Sequence, residues 1–235
     1  MPDKRSGLAY GLRMELSTGS FVSFGWETFK KRSWFFIGAS VVILIVYVVA
    51  GSLVEAIDSA FSGNPKDPSL VGSVLNLALS TLINMGVTAF YLNAHDNPET
   101  VTLSSLWHPQ SFWNFLAATI LTGLAIIAGF ILLIVPGIIF MLMFMFTMFI
   151  VIDRGLGPIV AMKESRRITR GYKWQLLGFV LVLTLINLVG ALAVLVGLLV
   201  TIPVTSLAFV HAYRALTANA GAPAAVMTPQ ATPVT

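Results

Sequence analysis

The residues of this chain that could do chemistry gather in three places. At about 100° per helical residue, Lys163, Arg166, Arg167 and Arg170 fall within roughly a 100° arc, while Ala161, Ser165 and Ile168 lie on the other side. Such a helix is basic on one face and small and apolar on the other. Each of its charges is worth about 1 kcal/mol near an anionic leaflet. The face therefore either fixes topology alone, holds an anionic lipid headgroup, or docks a partner protein.

The second place is a polar stripe. Ser73, Asn76, Ser80, Asn84, Thr88 and Tyr91 recur at intervals of three or four residues, one face of a helix. In lipid, such a stripe must face protein or water. Asn187, in a later apolar run, is a candidate partner. Asn76, Ser80, Asn84, Thr88 and Asn187 then read either as packing contacts of about 0.6 kcal/mol each or as a substrate path. A coupled transporter often adds a midspan carboxylate or lysine, and none accompanies this stripe.

The third place is the three histidines, His95, His108 and His211. Their spacing fits no local zinc pattern, so a metal site would have to be assembled in space from His95, Asp96 and His108. Cysteine is absent, which excludes thiolate ligands and disulfides. The chain has neither a Gly-x-x-x-x-Gly-Lys-Ser/Thr phosphate loop nor a Gly-x-Ser-x-Gly elbow. We expect no metal, no cofactor and no enzymatic activity.

The elements that position these groups follow from composition. The chain is 57% hydrophobic and 10% charged, with a mean hydropathy of +0.87, against about 25% charged residues in soluble domains. The reading is an all-α, polytopic membrane helix bundle, since lipid-facing backbone must satisfy its own hydrogen bonds. Six spans are expected: about 34–53, 70–92, two within 113–152 turning near Val135-Pro136-Gly137, 174–196, and 198–216 with Pro203 near its start. A shallow re-entrant hairpin is the alternative for 113–152. The spans form one domain, 34–216, between an N-terminal segment, 1–33, and a disordered tail, 217–235.

Three interfacial helices accompany the spans. Ser17 to Arg32 is amphipathic, with Phe21, Val22, Gly25, Trp26 and Phe29 on one side. Leu103, Leu106 and Trp107 mark a short second helix ended by Pro109, and 158–171 is the third. Each precedes a Trp-led apolar run at Trp34, Trp113 or Trp174, so the pattern reads either as interfacial anchoring or as a three-fold repeat of interfacial helix plus hairpin. Glu55, Asp58 and Asp67 fall in the first polar connection. Phe140, Met141, Met143, Phe144, Met145, Phe146, Met148 and Phe149 make the fourth span ordinary core or lipid-facing surface, or the wall of a hydrophobic cavity. Ala125 with Gly129, and Ala193 with Gly197, have a spacing that permits close helix approach.

If each pair of spans is a hairpin, 13 of the 14 Lys and Arg residues share one side and Lys66 alone lies opposite. The positive-inside rule puts that shared side, with both termini, in the cytoplasm, as expected for a bacterial inner-membrane protein. The long basic N-terminal preamble argues against a cleaved signal peptide. Topology accounts for the net charge of +4, so nucleic acid is not an expected partner.

Ile134-Val135-Pro136-Gly137-Ile138, the turn from Gly155 to Pro158, and Ala161-x-x-x-Ser165-x-x-Ile168-x-x-Gly171 before a new span resemble an uncharacterised bacterial family. It comprises YciC-like membrane proteins and is similar to the membrane domain of some glycerophosphodiester phosphodiesterases. The resemblance implies a six-helix bundle with no agreed activity. The expected function is a structural or lipid-interacting membrane module engaging anionic lipid or a membrane protein partner; the alternative is a small-molecule or lipid transporter using the second span.

Overall fold

A computed structural model describes residues 17–62, 69–107, 111–193 and 196–221. Among them every regular element is helical. Lys66, His108, Pro109 and most of the expected tail lie outside the described residues.

Helix α1, Thr18–Lys31, opens on Ser17, whose hydroxyl accepts from the Ser20 amide at 3.1 Å. Its Phe21, Gly25, Thr28 and Phe29 are buried. The sequence puts α1 in the membrane interface; the structure packs it against the last helix, α9, Val196–Asn219. Gly25 explains this, because a Cβ there would strike the Val204 carbonyl oxygen and the Ala208 amide. A bare backbone lets the two helices touch. Arg32 breaks α1, and its guanidinium donates to the carbonyls of Pro98, Glu99 and Val101 at 3.3, 2.9 and 3.1 Å.

Helix α2, Ser33–Ser62, runs 30 residues, past the expected end at Leu53. Glu55 and Asp58 lie inside it, not in the connection. Asp58 accepts from the amide of Ser69 at 2.9 Å and from its hydroxyl, and Ser69 caps α3, Leu70–Asp96. The first hairpin is closed by a carboxylate on a serine cap. After α3, the expected second interfacial helix is one 3-10 turn, Leu103–Leu106, seated where Gly86 leaves room for the Leu106 carbonyl.

Helices α4, Phe112–Leu132, and α5, Ile134–Phe144, meet at Leu133. Pro136 and Gly137 belong to the start of α5, and Gly129 faces Gly137 so closely that a Cβ on the former would sit 3.0 Å from the latter's Cα. The fourth span pauses at Met145 and Phe146 and resumes as α6, Thr147–Arg154. Phe112–Leu132 and Ile134–Arg154 are 21 residues each. At about 1.5 Å per residue each can cross a core of roughly 30 Å, so full crossings fit these lengths better than a shallow hairpin.

Gly155, at φ +62°, stops α6, and Pro158 starts α7, Pro158–Thr169. Helix α8, Lys173–Leu192, then pairs with α9. At their junction Gly197 of α9 meets the Gly190 backbone. Ala193 is exposed beyond α8, so Ala193 and Gly197 do not share a helix face. Pro203 lies inside α9, in its N-terminal half. The half of α9 nearest its C-terminus is the centre of the bundle: Leu207, Ala208, Val210, Ala212, Tyr213 and Ala215 are all fully buried. Among the described residues six helical segments, 33–61, 70–96, 112–132, 134–154 (α5 with α6), 173–192 and 197–219, are long and apolar enough to cross a membrane. Trp34, Trp113 and Trp174 stand exposed in the first turns of α2, α4 and α8, but the elements leading into them differ: two helices and a 3-10 turn.

Candidate functional site

The polar stripe of α3 divides. Asn76 is exposed and stands apart, while Ser80, Asn84, Thr88 and Tyr91 line a chamber of about 620 Å³ between the helices. Asn187 of α8 and Thr205 and Ser206 of α9 supply the opposite wall, Thr119 of α4 a third, and Met145, Met148 and Phe149 the apolar remainder. Among the described residues no charged side chain lines it. Asn187 does not bond to the stripe; its amide donates to the Thr205 hydroxyl at 3.2 Å. Asn84 accepts from the Tyr47 hydroxyl of α2 at 3.0 Å and donates to the Ser80 carbonyl at 2.7 Å. Thr88 and Thr119 turn their hydroxyls onto their own helices, to the Asn84 and Phe115 carbonyls at 2.7 and 2.9 Å. This habit of threonine in helices leaves each hydroxyl oxygen able to accept.

Helix α7 is stitched into the pause of the fourth span. The buried Ser165 hydroxyl donates to the Met143 carbonyl at 2.9 Å and accepts from the Phe146 amide at 3.3 Å. These backbone groups lie where the helix is interrupted and would otherwise be short of partners. Ala161, Ile168 and Thr169 share that buried side, and Lys163, Arg166, Arg167 and Arg170 are exposed.

The four basic residues do not act as one patch. Arg166 and Arg170 join Lys173 and Met143 around a cavity of about 220 Å³. Arg167 instead forks onto Glu164, Nε to Oε2 and Nη2 to Oε1 both at 2.7 Å, and donates to the Ala220 carbonyl at 3.1 Å. Arg154 reaches the same carboxylate at 2.9 Å. Arg167, and Arg154 beyond it, hold the Glu164 carboxyl below its ordinary range despite some burial. Lys163 takes no part in the cavity. Lys173 is the member that sequence reasoning missed; it was counted for topology alone.

At the same end of the bundle, charges far apart in sequence are paired. Arg214 of α9 reaches Asp153 at 2.8 Å and Asp96 at 2.6 Å, and the Tyr213 hydroxyl donates to Asp153 at 2.7 Å. His95 and Asp96 are adjacent here at 2.9 Å, but the other His95 nitrogen faces His211 at 3.1 Å, and Phe24 stacks on His211 with centroids 4.0 Å apart. If His95 Nδ1 donates to Asp96, Nε2 accepts from His211 Nδ1, so the two facing nitrogens satisfy each other. Among the described residues no group of three or more His, Asp or Glu is arranged to hold a metal ion; His108 lies outside them.

A domain of unknown function, DUF7847, matches residues 100–234, more than half of the chain. An uncharacterised protein of Mycobacterium bovis is 29% identical over 167 residues, covering 69% of this chain and 50% of its own length. Two uncharacterised proteins of Mycobacterium tuberculosis strains match with the same figures. The chain thus spans about half the length of the curated relatives it matches. No solved structure matches.

Proposed function

Because the chain belongs to the DUF7847 family, whose function is unknown, we propose its role from its own geometry: a lipid-interacting membrane module that holds an anionic headgroup at Arg166, Arg170 and Lys173. The observation that carries this reading is the 220 Å³ cavity on which these three side chains converge beside apolar Met143. Among the described residues no carboxylate lines it. Arginine forks match phosphate oxygens, and a thioether beside them suits the glycerol and first methylenes of a lipid. The opposite face of α7, fixed by Ser165, keeps the cations from swinging away. The likeness of 134–180 to YciC-like proteins and to the phosphodiesterase membrane domain enters this reading only through the Gly155 to Pro158 turn and the Ala161, Ser165 and Ile168 face, which seat α7.

In this reading the basic end faces the cytoplasm of a bacterial inner membrane, no reaction is catalysed, and a membrane protein partner is an outcome of the test. That test is native mass spectrometry of protein from vesicles of phosphatidylglycerol and phosphatidylcholine. Retained phosphatidylglycerol should fall by roughly a hundredfold in Arg166→Gln, Arg170→Gln, Lys173→Gln, at about 1 kcal/mol per charge. Unchanged retention in the triple variant sinks the proposal.

A second reading, a small-molecule or lipid transporter, is supported by the 620 Å³ chamber, which is within the usual size of ligand pockets. Uptake into proteoliposomes that is lost in correctly folded Asn84→Leu would favour it; no uptake over a broad substrate panel would count against it.

A further inference from the structure

We infer that the chamber between α3, α8 and α9 is the headgroup pocket of a two-part site for an uncharged, hydroxyl-bearing lipid. This deepens the reading of the chamber as a binding site and needs no transport.

The charge of the ligand follows from the walls. A phosphate or ammonium brought among Asn84, Thr88, Asn187 and Thr205 would meet no counter-charge among the described residues. An uncharged group needs none. Its chemistry follows from the free valences. Asn84 spends its oxygen on Tyr47 and one N–H on the Ser80 carbonyl, leaving one N–H for the chamber. Across from it, the Asn187 oxygen has only the distant Thr205 hydroxyl, at 3.5 Å, as donor. The α3 wall offers the Asn84 N–H beside the Thr88 hydroxyl oxygen, and the α8 wall offers the Asn187 oxygen beside its second N–H, so each side can meet a hydroxyl as donor or acceptor.

That the ligand has a hydrocarbon part follows from the neighbouring space. A second chamber, of about 410 Å³, lies between α2, α3 and α9 and is walled by residues such as Leu44, Leu198 and Ile202. Val87, Tyr91 and Ser206 line both chambers, so the polar and apolar spaces adjoin across these three side chains. An amphiphile can put its hydroxyls in the first and a chain in the second. The Met145 and Met148 side chains can adapt to the headgroup, as flexible thioethers do.

The probe is dioleoylglycerol, set against dioleoylphosphatidylglycerol with the same chains, each offered in phosphatidylcholine nanodiscs and read by native mass spectrometry. Wild type should retain dioleoylglycerol. Asn187→Leu should retain about tenfold less, the factor that goes with one lost buried hydrogen bond. Ile202→Trp, which fills the apolar chamber without touching the polar one, should lose it as well and serves if Asn187→Leu does not fold. The inference is overturned if wild type retains no dioleoylglycerol, or if both chamber variants retain as much as wild type. Failure of phosphatidylglycerol to bind, with dioleoylglycerol still held, would remove the anionic-site reading and leave this one standing.

Discussion

At the basic end, Arg214 holds Asp153 and Asp96, Tyr213 adds a hydrogen bond to Asp153, and Glu164 takes both Arg154 and Arg167. In the chamber, Asn187 has Thr205 alone, and the threonines bond mainly to their own helices. Charges in the first region are matched across four helices, while the uncharged groups in the second keep hydrogen-bonding capacity in reserve. The difference separates two jobs. Paired charges fix how α3, α6, α7 and α9 meet, and a partly satisfied uncharged surface is available to something else.

The sharpest way to break this contrast is Asp153→Ala. It strips Arg214 and Tyr213 of their shared acceptor, and Asp153 is only 16% exposed, so the loss should approach the few kcal/mol of breaking a buried pair. We expect about 3 kcal/mol, the low end of that range, because Arg214 keeps Asp96. Reversible unfolding in mild detergent measures it. A loss below 1 kcal/mol would mean that the charged end does not hold the bundle together.

Ser165→Ala tests the link between the regions. Its hydroxyl serves Met143 and Phe146 at the pause of the fourth span, next to Met145, which lines the chamber. Leaving a buried amide and carbonyl short of a partner costs about 1–3 kcal/mol. Hydrogen exchange should rise locally at Phe146 and its neighbours, and equal exchange in both proteins would refute the stitching role.

How much of this was legible beforehand depended on distance along the chain. The spans were readable because apolar runs of 20 or more residues admit one solution in lipid. Ser80, Asn84 and Thr88 were readable because helical spacing is local. Arg214 could not be matched to Asp153 or Asp96, which lie 61 and 118 residues away. Helical projection grouped Arg167 with Arg166 and Arg170, yet Glu164, three residues earlier, was in plain view as the partner that draws it aside. The pause at Met145 and Phe146 carries neither proline nor glycine, so nothing local announced it. Glu55 and Asp58 read as loop because they are charged, whereas Asp58 sits in a helix and finds its partner on the next one.

A smaller effect sharpens the comparison at α7. Glu164, with an ordinary value of 4.5, is held lower by Arg167 and then Arg154. A depressed carboxyl contributes stability above its unfolded value and loses it as pH falls through the folded value. Stability should therefore be flat near neutrality and decline only as the pH drops below about 4.5. Arg167 is 44% exposed, so solvent screening keeps the Glu164–Arg167 pair to about 1 kcal/mol or less. Unfolding of Glu164→Gln against wild type across pH isolates the term, and an unaltered acid slope would assign it to other carboxylates.

The smallest expected effect is the most discriminating. If the chamber is only a packing seam, Asn187→Leu removes a contact that matters for assembly. If it is a binding surface, the fold barely needs Asn187, because its bond to Thr205 is of the kind worth about 0.6 kcal/mol in a membrane, and Thr205 retains the Thr201 carbonyl at 2.8 Å. The leucine also fills space with apolar atoms, which offsets part of that loss. Ligand-free protein should therefore unfold within about 0.5 kcal/mol of wild type, even though the same substitution strips the chamber of the Asn187 amide. A loss of 2 kcal/mol or more, on the scale of a truncated core, would return Asn187 to the structural residues and make the chamber an extension of the paired end.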